Sequence, residues 1–118
     1  MVTPKISPYV FPGIDLRTEG VDTYMFVAKV TEHFGIPIIR LFSPTRDQDV
    51  VEVRQCIWHV LYTYEKKNYT ALGRYFKRDH ATVLYGVKKV DGMLKHGDDQ
   101  IKKIHNEVIS IYKQLKNG

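Results

Sequence analysis

The chain has 118 residues, 43% of them hydrophobic and 26% charged, which suits one domain with a real core and leaves no room for a catalytic domain beside a binding domain. A single cysteine, Cys56, excludes an intrachain disulfide and an all-cysteine zinc site. The net charge of +5 is concentrated, since residues 69–96 hold six basic side chains against two acidic ones, the footprint either of a polyanion binder or of a solvated basic face.

Residues 1–20 carry Pro4, Pro8, Pro12 and Gly13 with no helical period, so they are expected to form an extended or flexible N-terminal arm. Residues 21–118 then form the folded domain. A first helix is expected from Asp22 to Phe34. Asp22 or Thr23 caps it, and Val27, Val30 and Phe34 make its apolar stripe. Gly35 and Pro37 stop it. The loop Ser43-Pro44-Thr45-Arg46 leads into a long helix from Asp47 to Lys66. Its inner face is Val50, Val53, Ile57, Leu61 and Tyr64, broadened by Trp58. Asn68 is a cap for a short helix from Tyr69 to Phe76. After a tight Lys77-Arg78 turn, another helix runs from Asp79 to Lys95, with Val83, Val87, Val90 and Leu94 inward and Leu84 beside them. Gly97 ends it. Asp98 or Asp99 caps a last helix with Ile101, Ile104, Val108, Ile111, Tyr112 and Leu115 at helical spacing. No alternating strand pattern stands out, so the fold class is all-α, a compact helical bundle.

The short helix, turn and longer helix over residues 68–95 make a helix-turn-helix candidate. In that geometry the second helix enters the DNA major groove by its N-terminal end. Here that end carries Arg78, Asp79, His80, Ala81 and Thr82, and its outward face continues with Tyr85, Lys88 and Lys89.

The stretch from Leu72 to Val90, centred on Arg78-Asp79-His80-Ala81-Thr82-Val83-Leu84, resembles the signature of the DNA-binding C-terminal domain of the bacterial replication initiator DnaA. Ser43-Pro44-Thr45-Arg46 resembles that family's Ser-x-x-Arg loop, and Val53-Arg54-Gln55 its Pro-Arg-Gln. The resemblance covers about Asp22 to Leu94 and implies a TrpR-like bundle that binds double-stranded DNA. It implies a minor-groove role for Arg46 and base reading by Asp79 and His80. Arg78, Thr82 and Tyr85 would hold phosphates or neighbouring bases, and Lys88 would supply a basic position further along. Asn68 would cap a phosphate-binding helix N-terminus. These roles suit the side chains. Asp accepts from a cytosine amino group, and arginine is drawn into a narrow minor groove. Ala81 stands where the family usually has Thr, Gly86 replaces Ala or Ser, Val53 replaces Pro, and only Lys77 separates Phe76 from Arg78. Segment 47–52 is acidic where the family's loop is often basic.

No G-x-x-x-x-G-K-[ST] loop occurs in the chain, so ATP binding is not expected. The sequence looks like a free-standing copy of the DNA-binding domain. No enzyme activity, cofactor or metal site is expected, because the five histidines show no ligand spacing and no nucleophile is placed by Asp79-His80. Short apolar runs and the lack of a charged start with an apolar h-region argue against a membrane span or secretory signal. A cytoplasmic, nucleoid-associated location is therefore expected. Cys56 and His59 read as packed helix residues, and Arg54 as a phosphate contact or a buried partner for an acid. The function implied is sequence-specific DNA binding in replication-origin or transcriptional control, with residues 1–20 as a candidate contact to the replication machinery or another protein. The alternative is a helical adaptor that has lost DNA binding. A DNA binder should leave Arg46, Lys77, Arg78 and Lys88 open, whereas an adaptor should have them paired.

Overall fold

A computed structural model describes residues 20–117. Among them lie six helices and no strand: α1 (Thr23–Phe34), α2 (Ile38–Phe42), α3 (Gln48–Tyr64), α4 (Tyr69–Phe76), α5 (His80–Lys95) and α6 (Asp99–Asn117). The all-α expectation holds. The expected arm falls outside the described residues except for Gly20.

The long helix α3 is the centre of the fold. Every residue from Glu52 to Leu61 is buried, so this middle stretch of the helix is enclosed on all sides rather than amphipathic in the usual sense. α5 and α6 pack along it, α2 touches its start, and α1 lies against α2 and α6. Phe26, Val27, Val30, Leu41, Ile57, Leu61, Phe76, Val83 and Ile101 fill the core between these helices. Each such side chain contributes roughly 1.5–3 kcal/mol by leaving water. Glu52 and His59, which α3 carries inward, are matched, whereas the buried Trp58 Nε1 has no hydrogen-bond partner among the described residues. Glu52 accepts hydrogen bonds from Gln48 at 2.8 Å and Gln100 at 2.7 Å. His59 meets His105 at 2.8 Å and Asp91 at 3.4 Å. Buried polar groups left unpaired would cost more than these bonds gain.

The helix ends follow from their caps. Asp22, Asp47, Asn68 and Asp79 each accept a bond from a backbone N–H in the first turn of the following helix. Asp98 accepts from Ile101 N at 2.9 Å, which resolves the choice between Asp98 and Asp99. Asp79 is thus the cap of α5 and not its first residue.

Three expectations need correction. The sequence showed no helix over 36–42, yet Ile38–Phe42 forms one. Five residues are too few to display a 3.6 period, and Pro37 at its cap reads equally as a loop residue. α3 stops at Tyr64 rather than Lys66, because Glu65 is its C-cap and Lys66 turns into the left-handed region at φ 60°. Tyr64 is 45% exposed and does not belong to the inner face. Instead Glu65 ties the domain's ends together. Its carboxylate accepts from Val21 N at 2.9 Å and from the Tyr112 hydroxyl, and pairs with Lys116 at 3.5 Å. Gly20 passes so close that a Cβ there would fall 1.9 Å from Glu65 Oε1.

Candidate nucleic-acid interface

α4 and α5 form a helix-turn-helix with a very short turn. Asn68 Oδ1 accepts from Ala71 N at 2.7 Å and starts α4. Lys77, at φ 58° and ψ 47°, ends it in the left-handed conformation, and Arg78 N then donates to Gly73 O at 2.8 Å. This closing pair of helix-end bonds usually employs glycine at the position Lys77 occupies. The glycine sits opposite instead, since a Cβ on Gly73 would fall 2.5 Å from Arg78 O. Close approach of the two backbones is thus what reverses the chain in so few residues.

α5 then presents two faces. Val83, Gly86, Val87 and Val90 are buried, while Leu84 is only half-buried. Ala81, Thr82, Tyr85 and Lys88 are exposed on the other side, with Tyr85 at 63%. The side chains of Asp79 and His80 are both 68% exposed and lie 3.3 Å apart. One Asp79 oxygen already accepts from Ala81 N at 2.9 Å, so its second oxygen is the one available to a ligand.

The loop after α2 comes up beside this face. Arg46, Thr82, Tyr85 and Arg78 line one groove of about 490 Å³ with Pro44 and Thr45, and Val51, Arg54, Gln55 and Trp58 of α3 also line it. Four residues expected to act together from separate parts of the sequence are therefore brought together. Arg46, Lys77 and Lys88 are exposed, and their side chains have no hydrogen bond or ion pair to another described residue. Arg78 differs. It is half-buried, and its guanidinium donates to Phe76 O at 3.2 Å, to Phe42 O at 3.4 Å and to Ser43 O.

Arg54 is buried at 4% exposure, so it is structural, but its partners are not acids. It donates to Leu41 O at 2.9 Å, Ser43 O at 3.0 Å and Arg40 O at 3.4 Å. Burial, and then the neighbouring Arg78 charge, bring its pKa down to about 10, which leaves it a cation at neutral pH.

The family of the bacterial DnaA protein helix-turn-helix matches residues 25–90, more than half of the chain. The chain belongs to this bacterial DnaA helix-turn-helix family. It is 34% identical over 105 residues to the chromosomal replication initiator protein DnaA of Thermotoga maritima, covering 88% of this chain and 23% of that protein. The DnaA of Xanthobacter autotrophicus is 35% identical over 95 residues, 80% of this chain and 18% of the relative. That of Mycoplasma pneumoniae is 30% identical over 91 residues, 77% and 20% respectively. The chain thus spans only about a fifth of the length of these DnaA proteins.

The DnaA family match begins in α1 and ends within α5 at residue 90, so it takes in both halves of the groove, all of α4 and most of α5. Asn68, Lys77, Asp79, His80, Ala81 and Lys88 do not line the groove. Asn68 stands at the start of α4, Lys77 in the turn, and Asp79 to Ala81 at the tip of α5. Sequence reasoning missed that Gln55 and Trp58 help line the groove. The signal was present, because they lie one and four residues beyond Arg54 on the same helix. No helix among the described residues is long and apolar enough to cross a membrane.

Proposed function

We propose that the chain binds double-stranded DNA in a sequence-dependent way through this helix-turn-helix, as a regulator of replication or transcription. The observation that carries the reading is the groove in which the exposed Arg46 stands beside Thr82 and Tyr85, next to the capped tip of α5. In this reading Asp79, His80, Ala81 and Thr82 read base edges in the major groove. Asp79 accepts from a base amino group, His80 donates or accepts, and the Ala81 methyl meets a thymine methyl. Arg46 enters the adjacent minor groove, where narrow width deepens the negative potential. Tyr85, Lys77, Lys88 and the N-terminus of α4 behind Asn68 hold the phosphates. The family membership and the basic stretch over 69–96 support this reading. It involves no catalytic step, nucleotide or cofactor. Further proteins of the replication machinery are proposed partners of residues 1–20.

The test is fluorescence anisotropy with a duplex carrying an initiator-type box and a scrambled duplex, over a salt series. A preference of tenfold or more, about 1.4 kcal/mol, with affinity falling as salt rises, is the expected result. His80→Ala should cost about 1–3 kcal/mol and relax the preference. Equal affinity of wild type and His80→Ala for both duplexes would overturn the reading.

A second reading, a helical adaptor, draws on a separate groove of about 420 Å³. Phe34, Ile36, Val50, Val53 and Ile104 line it together with Asp47, Asp49, Glu52 and Arg40, which pairs with Asp47. An apolar floor whose charged lining is more acidic than basic suits an amphipathic segment of a protein partner better than DNA. Absence of duplex binding at low salt would favour it.

A further inference from the structure

Among the described residues, the exposed Arg46 is the one polar side chain of its loop with no hydrogen bond or ion pair. Ser43 Oγ donates to Arg40 O at 2.7 Å. Thr45 Oγ1 accepts from Arg40 at 3.0 Å and from Asp47 N at 3.1 Å. Asp47 pairs with Arg40 at 3.4 Å, and Pro44 fixes its own φ. Below this loop the short helix α2 ends in carbonyls that have no partner within the helix. Two guanidinium groups from distant parts of the chain take them up. Arg54 serves Arg40 O, Leu41 O and Ser43 O, and Arg78 serves Phe42 O and Ser43 O. The two arginines meet on one oxygen, that of Ser43, three residues before Arg46. Arg78 also holds Phe76 O, at the end of α4. A single half-buried side chain at the tip of the helix-turn-helix therefore joins the end of α2, the end of α4 and the start of α5.

We propose that Arg78, with Arg54, is a positioning clasp that fixes the Arg46 loop against the start of α5, so that the minor-groove and major-groove contacts are held in one register. The assignment rests on the DNA-binding reading above and gives Arg78 a part other than the phosphate or base contact that the sequence resemblance implies. Its three carbonyl partners engage both terminal nitrogens of the guanidinium, and its main contribution is made inside the protein rather than at a phosphate. Bringing two like charges together on one carbonyl opposes folding electrostatically. The carbonyls at the end of α2 offset that repulsion, being the negative end of a helix.

The experiment is a double-mutant cycle between positions 46 and 78, measured by anisotropy on a duplex selected by the wild-type protein from a random pool. Arg78→Lys keeps the charge but replaces a planar fork with a single flexible ammonium, which cannot serve three separated carbonyls. A phosphate contact would survive that change, and a clasp would not. We expect Arg78→Lys to lower affinity by about tenfold in the wild-type background and by less than about twofold in an Arg46→Ala background. Wild-type affinity for Arg78→Lys, or an equal loss in both backgrounds, would overturn the clasp. Hydrogen exchange over residues 41–47 of the free protein should be faster in Arg78→Lys, and unchanged exchange would also overturn it. The exchange comparison needs no DNA, so it decides the clasp even if the wild type binds no duplex and the DNA-binding reading itself fails. Should Arg78→Lys not fold, Pro44→Gly loosens the same loop without touching a charge. It should show the same dependence on Arg46, and no loss in the wild-type background would count against the clasp.

Discussion

Two glycines on α5 are expected to respond to alanine with opposite signs. Either substitution gains about 1 kcal/mol of helix propensity. At Gly92 a Cβ would meet nothing within 4 Å, so Gly92→Ala should stabilise the fold by about 0.5–1 kcal/mol. At Gly86 the Cβ would fall 2.8 Å from Trp58 Cε3, 3.0 Å from Cζ3 and 3.1 Å from Gln55 Cγ. The indole cannot easily retreat. It is 2% exposed and meets the Phe76 ring edge to face at 5.9 Å. Overpacking of this kind costs roughly 1–3 kcal/mol, so Gly86→Ala should be neutral to about 2 kcal/mol destabilising once the propensity gain is subtracted. The propensity gain cancels between the two variants, and the gap between them isolates the overpacking at about 1–3 kcal/mol. Urea unfolding followed by circular dichroism and by the fluorescence of Trp58, the sole tryptophan, measures both. In a domain of this size each kcal/mol moves Tm by about 4–8 °C. If Gly86→Ala stabilised the protein as much as Gly92→Ala, the indole would be free to yield and the reasoning would be wrong.

Two buried groups make further predictions. His105 is 4% exposed against His59, and burial first, then the His59 charge, bring its pKa down to about 4. An unfolded histidine titrates near 6.5, so between these values the unfolded chain binds the extra proton. Stability should be full above about pH 6.5 and should fall by up to about 3 kcal/mol as the pH drops toward 4. A urea midpoint equal at pH 7 and pH 4.5 would contradict this, and His105→Gln should flatten the profile. Cys56 is fully buried, and burial together with Glu52 pushes its thiol up to about 12. A disulfide reagent at pH 8 should therefore label it only in urea, and stoichiometric labelling of the native protein within minutes would refute that.

The parts legible in the sequence were those fixed by local chemistry. Asn68 followed from capping preference, and the two faces of α5 from the spacing of Val83, Val87 and Val90. α2 was not legible, because one turn of helix has no period to read. The ends of α3 were misread because Lys66 and Lys67 suit a helix C-terminus by charge, whereas the chain leaves the helix at Glu65, which is needed to hold Val21 and Tyr112. Arg54 was open in the sequence between a phosphate contact and a buried partner for an acid. Its partners are backbone carbonyls of α2, a helix the sequence did not reveal, so an acid was the wrong partner to expect. The bonds from Arg78 to Phe42 O and Ser43 O were not legible for the same reason. A basic residue at the tip of a recognition helix carries no mark of an inward hydrogen bond.

Arg54 and Trp58 lie four residues apart, on one face of α3. The first holds the loop before Arg46, and the second packs against α5 at Gly86. The enclosed middle stretch of α3 therefore sets both walls of the groove. This gives the mid-helix glycine a physical account. Read locally, Gly86 only costs helix propensity. In the fold it is the space that the Trp58 ring needs, and a side chain there would push α5 away from α3 or turn the indole. Either movement would widen the groove between Thr82, Tyr85 and Arg46. The volume absent at residue 86 and the volume present at residue 58 are thus one feature, and the separation of the two proposed DNA contacts depends on both.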